Sequence, residues 1–204
     1  MIHIVDYGLG NVRALLNVYR ELNIEAKASR DPDDLRHATH VILPGVGHFD
    51  HAMDQLQASG LRESIEEQVR EEGIPLLGIC VGMQMLASSS EEGSKPGLGL
   101  ISGQVRAFAG WEPTKHLPTP HMGWNDVEPQ RPHRLFKNME KAQTFYFLHS
   151  YFFRCSKDDN IVAETKYGAS FACVIARDNI IGVQFHPEKS HRFGIQLLRN
   201  FAEI

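Results

Sequence analysis

The sequence predicts an α/β fold with a central, mostly parallel sheet flanked by helices and some antiparallel strands in its second half. Three observations carry this expectation. Short β-rich apolar runs alternate with helical patterns through the first half, and glycine-rich turns close several of those runs. After about the midpoint the texture changes to closely spaced strand-like runs with little helix between them. Alternation of the first kind winds right-handed into βαβ units and gathers functional groups at the carboxyl ends of the strands. A length of 204 residues suits one domain, residues 1–204.

The elements follow in order. Residues 2–5 form an apolar β-rich run, Tyr7-Gly8-Leu9-Gly10 a turn, and Val12, Leu15, Leu16, Tyr19 and Leu22 one face of a helix. A second strand is expected over 24–28. Asp31-Pro32 opens a short helix, with Asp as N-cap and Pro in the first position. A third strand, 41–43, ends at Pro44-Gly45-Val46-Gly47. Residues 52–72 carry a helix interrupted near Gly60, and 76–79 form the next buried strand. In the second half, 104–108, 143–148, 161–165, 171–176 and 180–185 are strand-like, with Asp178-Asn179 as a hairpin turn. Ser190 caps a last helix that buries Phe193, Leu197, Leu198 and Phe201.

Bulk properties exclude several functions. Apolar residues are 42% and charged residues 23% of the chain, an ordinary globular balance rather than a disordered or fibrous one. No apolar run approaches the ~18 residues that cross a bilayer, and the start lacks the basic and apolar segments of a secretory signal, so a cytoplasmic location is expected. A net charge of -4 with both signs interspersed speaks against nucleic acid. Cys80, Cys155 and Cys173 lack metal-ligand spacing and are expected as free thiols, the latter two as buried small hydrophobes. The eleven histidines form no evident ligand set, so no metal is expected.

Chemistry concentrates in three segments. Gly78-Ile79-Cys80-Val81-Gly82 joins a buried strand to a helical run, Met83 to Ala87, as a nucleophile elbow does: small residues two positions either side let the chain pass sharply. A helix N-terminus behind Cys80 would favour the thiolate. Alone, the segment fits an inert buried cysteine equally well. Gln184-Phe185-His186-Pro187-Glu188 places a base and an orienting carboxylate two residues apart, on one side of an extended segment. That segment also fits a strand-end histidine followed by a helix start. Pro44-Gly45-Val46-Gly47 offers backbone N–H groups for an oxyanion hole with Val81, or is an ordinary glycine-rich turn.

Together with Asp6 to Asn11, Leu43 to Phe49, Gly97 to Leu100, Pro120 to Asn125 and His149-Ser150-Tyr151, these segments resemble class I (triad) glutamine amidotransferases over nearly the whole chain, in particular the glutaminase subunits of imidazole glycerol phosphate synthases. The one departure is Val81, where leucine is usual. The resemblance implies a flavodoxin-like amidotransferase fold and a cofactor-free catalytic set of Cys80, His186 and Glu188. It implies an oxyanion hole from Val46 or Gly47 with Val81. It further implies glutamine contacts at Gly47, Gln84, Glu92, His149, Ser150 and Tyr151, with Glu91 beside Glu92 as a competitor for that role.

The implied reaction hydrolyses glutamine to glutamate and ammonia through a cysteinyl thioester. The implied partner is the cyclase subunit of the synthase, a (βα)8-barrel joined as a heterodimer. It takes ammonia to make imidazole glycerol phosphate and an aminoimidazole carboxamide ribotide in histidine biosynthesis. Asn11, Met122, Trp124, Asn125, Tyr146 and Lys189 are expected at that contact. Three alternatives stay open: a glutaminase feeding another synthase, a stand-alone cysteine hydrolase, and a non-catalytic binding scaffold.

Overall fold

A computed structural model describes residues 1–140 and 143–204. β1 (Ile2–Val5) is buried throughout, and α1 (Val12–Glu21) buries Val12, Leu15, Val18 and Tyr19. Complete burial of one such aliphatic side chain contributes ~1.5–3 kcal/mol. β2 (Ala26–Ser29) starts later than the apolar run suggested, because the Ile24 N–H closes the helix exit on the Tyr19 carbonyl at 2.9 Å. α2 (Pro32–Leu35) opens as expected, with the Asp31 carboxylate accepting the Asp33 N–H at 3.0 Å.

β3 (His40–Gly45) leads to α3 (Phe49–Ala58), which begins before Ala52 because the His48 ring accepts the Asp50 N–H at 3.2 Å. Gly60 sits at φ +72°, left-handed, and divides α3 from α4 (Leu61–Arg70), where the sequence placed an interruption. β4 (Leu76–Cys80) runs into α5 (Val81–Gln84), a single turn. The longer helix expected over Met83 to Ala87 does not form. The Leu86 and Ala87 N–H groups bond back to Met83 and Gln84, tightening the chain into turns.

β5 (Ser89–Ser90), β6 (Gly103–Ala107), β7 (His121–Pro129), β8 (Gln143–His149), β9 (Tyr151–Cys155), β10 (Ile161–Tyr167), β11 (Ala169–Arg177) and β12 (Ile180–Val183) follow, then α6 (His191–Ala202). Among the described residues the main sheet has nine strands, ordered β2-β1-β3-β4-β12-β11-β10-β7-β8. β2, β1, β3, β4 and β12 are parallel neighbours; β11, β10, β7 and β8 continue antiparallel. β5, β6 and β9 form a second, small sheet. The mixed sheet flanked by helices is the predicted class.

Two differences matter for the site. β7 lies outside the strands expected from the sequence, and the aromatic-rich segment from Phe145 to Phe153 is two strands in two sheets, broken at Ser150. Ser190 precedes α6 but does not cap it with its hydroxyl, which instead donates to the His186 carbonyl at 2.6 Å and accepts the Tyr146 N–H at 3.0 Å. Leu197, Leu198 and Phe201 are buried beneath α6, whereas Phe193 is only partly so. No helix among the described residues is long and apolar enough to cross a membrane.

Candidate active site

Cys80 ends β4 with φ +56° and ψ -113°, a conformation that a non-glycine residue holds only under surrounding constraint. The constraint is backbone packing. A Cβ on Gly82 would lie 1.9 Å from the Leu43 carbonyl oxygen, one on Gly78 2.7 Å from the Gly82 oxygen, and one on Gly45 2.5 Å from the Gly82 nitrogen. β3, β4 and the first turn of α5 therefore approach at main-chain distance and leave the sulfur at the carboxyl end of the sheet. Since α5 is one turn long, the expected stabilisation by a helix dipole reduces to the local N–H groups behind the sulfur.

His186 follows β12, the strand beside β4. Its N–H bonds the Tyr146 carbonyl at 2.9 Å, so β8 grips the segment that carries the ring. Nδ1 lies 2.9 Å from Glu188 Oε1, with the two side chains only 4% and 2% exposed. Glu188 reaches back from a 3-10 turn, Pro187–Lys189, rather than along the extended segment expected from the sequence. Burial works to lower the His186 pKa, but hydrogen bonding and charge from Cys80 and Glu188 outweigh it and raise the value from 6.5 to about 10. The neighbours of the ring therefore favour its protonated form.

The thiol opens on a cavity of about 290 Å³ lined by Val46, Gly47, Val81, Gln84, Glu92, His149, Ser150, Tyr151, His186 and Lys189 among others. Every residue expected to bind glutamine or an oxyanion meets there. Gly47 has φ +86° with no atom within 4 Å of a built Cβ, so backbone conformation rather than space requires glycine. Glu92 prevails over its neighbour: its Oε2 accepts the Phe49 N–H at 2.8 Å at the cavity edge, whereas Glu91 pairs with Arg106 at 2.8 Å.

His149 is tied into the cavity wall. It borders the cavity, yet Nδ1 lies 2.8 Å from the Tyr151 carbonyl and Nε2 3.0 Å from His121 Nδ1, so both ring nitrogens are engaged within the protein. Burial lowers its pKa to about 3.

Of the residues expected at a partner contact, Met122 and Trp124 are 65% and 49% exposed. Trp124 meets Tyr146 edge-on at 6.0 Å, and Lys189 Nζ lies 5.7 Å from the Tyr146 ring centre. Asn11 stands half-exposed before α1. Asn125 is half-exposed, with its amide nitrogen 3.2 Å from His121 Nε2 and 2.9 Å from the Lys166 carbonyl. Cys173 is fully buried, but Cys155 is only partly so, with burial raising its pKa to about 12. Among the described residues no group of three or more His, Cys, Asp or Glu side chains can hold a metal ion.

Three residues at the site escaped the sequence reading. Tyr7 donates its hydroxyl to the Pro44 carbonyl at 2.9 Å and so tethers the Pro44–Gly47 turn. Gln184 accepts from Gln84 Nε2 at 3.2 Å and points its own amide at the sulfur, 3.9 Å away. Both lie inside segments quoted for their motifs, but nothing in residue type distinguishes them from packing. His121 pairs with His149 across the β7–β8 ladder, a register no local pattern reveals.

A family model for glutamine amidotransferase class-I matches residues 3–204. The imidazole glycerol phosphate synthase subunit HisH of Bdellovibrio bacteriovorus is 54% identical over 204 residues, covering 100% of both chains. The protein of the same name from Leptospira interrogans is 48% identical with the same coverage. A solved glutamine amidotransferase superposes with a TM-score of 0.77 at 20% identity, over 99% of this chain and 97% of the other, which is a likeness of fold. On the family model and the full-length relatives, the chain belongs to the class I glutamine amidotransferases.

Proposed function

We propose that the chain is the glutaminase subunit of an imidazole glycerol phosphate synthase, a single domain over residues 1–204 that acts in the cytoplasm in histidine biosynthesis. The observation that carries the chemistry is the buried His186–Glu188 pair, 2.9 Å apart, whose imidazole lines one cavity with the Cys80 sulfur at a left-handed elbow. In this reading Sγ attacks the side-chain amide carbon of glutamine and the carbonyl electron pair moves onto oxygen. The N–H groups of Val46 or Gly47 and of Val81 receive that oxyanion. The His186 imidazolium gives its proton to nitrogen as the C–N bond breaks, leaving a γ-glutamyl thioester and ammonia. Water then adds to the thioester carbon as His186 takes its proton. That proton passes to sulfur as the C–S bond breaks and glutamate departs.

Glu92 keeps one carboxylate oxygen for the substrate α-amino group, the other being held by Phe49 N–H. The proposed partner is a (βα)8-barrel cyclase that covers the cavity mouth and takes the ammonia. Met122 and Trp124 leave an exposed apolar face, and Met122 pairs in register with the cavity-lining Leu148. Such a patch marks an interaction surface, and the two HisH relatives are by name subunits of the synthase. The test measures glutamate release by this chain alone, with the cyclase, and with the cyclase plus its ribonucleotide ligand. The third rate is expected to be highest. Three equal rates would point to a stand-alone hydrolase instead.

A further inference from the structure

The hydrogen bonds behind the cavity wall have a direction that can be worked out from their ends. The Tyr151 carbonyl can only accept, so the His149 nitrogen 2.8 Å from it, Nδ1, carries hydrogen. Enclosure by Phe108, Phe147 and Phe171 keeps the His149 ring neutral, and its Nε2 must then accept. The hydrogen between the two rings, 3.0 Å apart, belongs to His121 Nδ1. His121 is likewise kept neutral by burial, so its Nε2 accepts from the Asn125 amide at 3.2 Å. At the far end, the Tyr151 carbonyl also accepts from Gln84 Nε2 at 3.1 Å, and the same nitrogen donates to Gln184 at 3.2 Å. With both amide hydrogens held inside the protein, Gln84 has its carbonyl oxygen left to offer to the cavity.

We infer that His121 is a positioning residue: with His149 it forms a one-way hydrogen-bond relay that fixes the Tyr151 carbonyl and, through it, the amide polarity of Gln84 in the glutamine pocket. Neither imidazole has a ring nitrogen free for the substrate. The relay starts at Asn125 on β7, the strand that also bears the exposed Met122 and Trp124. The inference rests on the glutaminase reading for its kinetic consequence but not for its hydrogen-bond pattern.

Two measurements on the full chain test it. Nitrogen NMR of histidine-labelled protein, with the two rings assigned by His121→Phe and His149→Phe, is expected to show both as neutral Nδ1–H tautomers at pH 7. Either ring as the Nε2–H tautomer or as imidazolium would overturn the relay. The second is glutamine kinetics in the assembled synthase. His121→Phe, which keeps ring volume but no donor, is expected to raise KM about ten-fold with kcat altered less than about three-fold. His121→Asn, whose amide can donate from near the Nδ1 position, is expected to restore KM to within about three-fold. A residue acting by packing alone predicts the opposite order, with Phe resembling the parent and Asn impaired. Absence of glutamine hydrolysis by the parent, with the tautomers as stated, would sink the glutaminase reading and leave the relay standing.

Discussion

The two sides of the cavity are held in place by different means. On the parallel side, β3, β4 and α5 meet at main-chain contact, where built methyl groups on Gly45, Gly78 and Gly82 would fall 1.9 to 2.7 Å from neighbouring backbone atoms. On the antiparallel side, side-chain hydrogen bonds do the holding. Ser190 joins β8 to the His186 segment, Glu188 orients His186, and His121 supports His149. Position by exclusion is independent of pH and intolerant of any added atom. Position by hydrogen bonding accepts changes of bulk but fails when a donor is deleted or a ring is titrated.

The strongest challenge to this contrast alters one member of the catalytic set on each side. Cys80→Ala is expected to lower glutamine hydrolysis by ~10⁴-fold or more and Glu188→Gln by ~10²–10⁴-fold, both read as glutamate release with the fold intact by circular dichroism. A Cys80→Ala protein with parent activity would remove the sulfur from the mechanism. Next in size, Gly82→Ala should cost about 2–4 kcal/mol in denaturant unfolding, because the methyl group has only backbone to displace. Ser190→Ala, which deletes a hydroxyl without adding bulk, should cost about 1–3 kcal/mol and slow hydrolysis by roughly ten-fold. If the serine change proved harmless while the glycine change did not, exclusion alone would account for both sides.

Titration divides the antiparallel side within itself. The His186 pKa is raised in the folded chain from 6.5 to about 10. Its charged form therefore adds stability fully below about pH 6.5, and that contribution is lost as pH rises through about 10. His149 and His121 act in the other sense, their values lowered by burial to about 3 and about 4. Below pH 6.5 the unfolded chain takes up protons that the folded chain refuses, so stability falls as the medium is acidified toward pH 3. Thermal unfolding across pH should show Glu188→Gln flattening the alkaline decline and His121→Phe the acid one. The same slopes in parent and variants would detach these groups from the behaviour.

Legibility in the sequence divides along the same line. The parallel side announces itself through periodicity and glycine spacing, since β1, α2, β3, the break at Gly60 and the Cys80 elbow each carry a local pattern of apolar, capping or glycine residues, even where their packing partners lie far along the chain. The His-Pro-Glu segment was legible because base and carboxylate sit two residues apart. β7 was not, because along His-Met-Gly-Trp-Asn-Asp-Val-Glu-Pro only His121 and Val127 are buried, and two buried residues make no alternating pattern. The split at Ser150 was hidden because aromatic and apolar residues flank His149-Ser150 on both sides, and a chain crossing between sheets keeps both ends buried. The pairing of His149 with His121 was not legible because the partner lies 28 residues away, and only the hairpin register brings the rings together.

The elbow also carries a lesson for mutational surveys. Its shape is encoded by hydrogens standing where methyl groups cannot, at Gly45, Gly78 and Gly82. A truncation scan reads a position by what it loses, and these three have nothing to lose. They would be passed over by the usual protocol, although the address of the reactive sulfur is written there. Only enlargement, one carbon at a time, interrogates them.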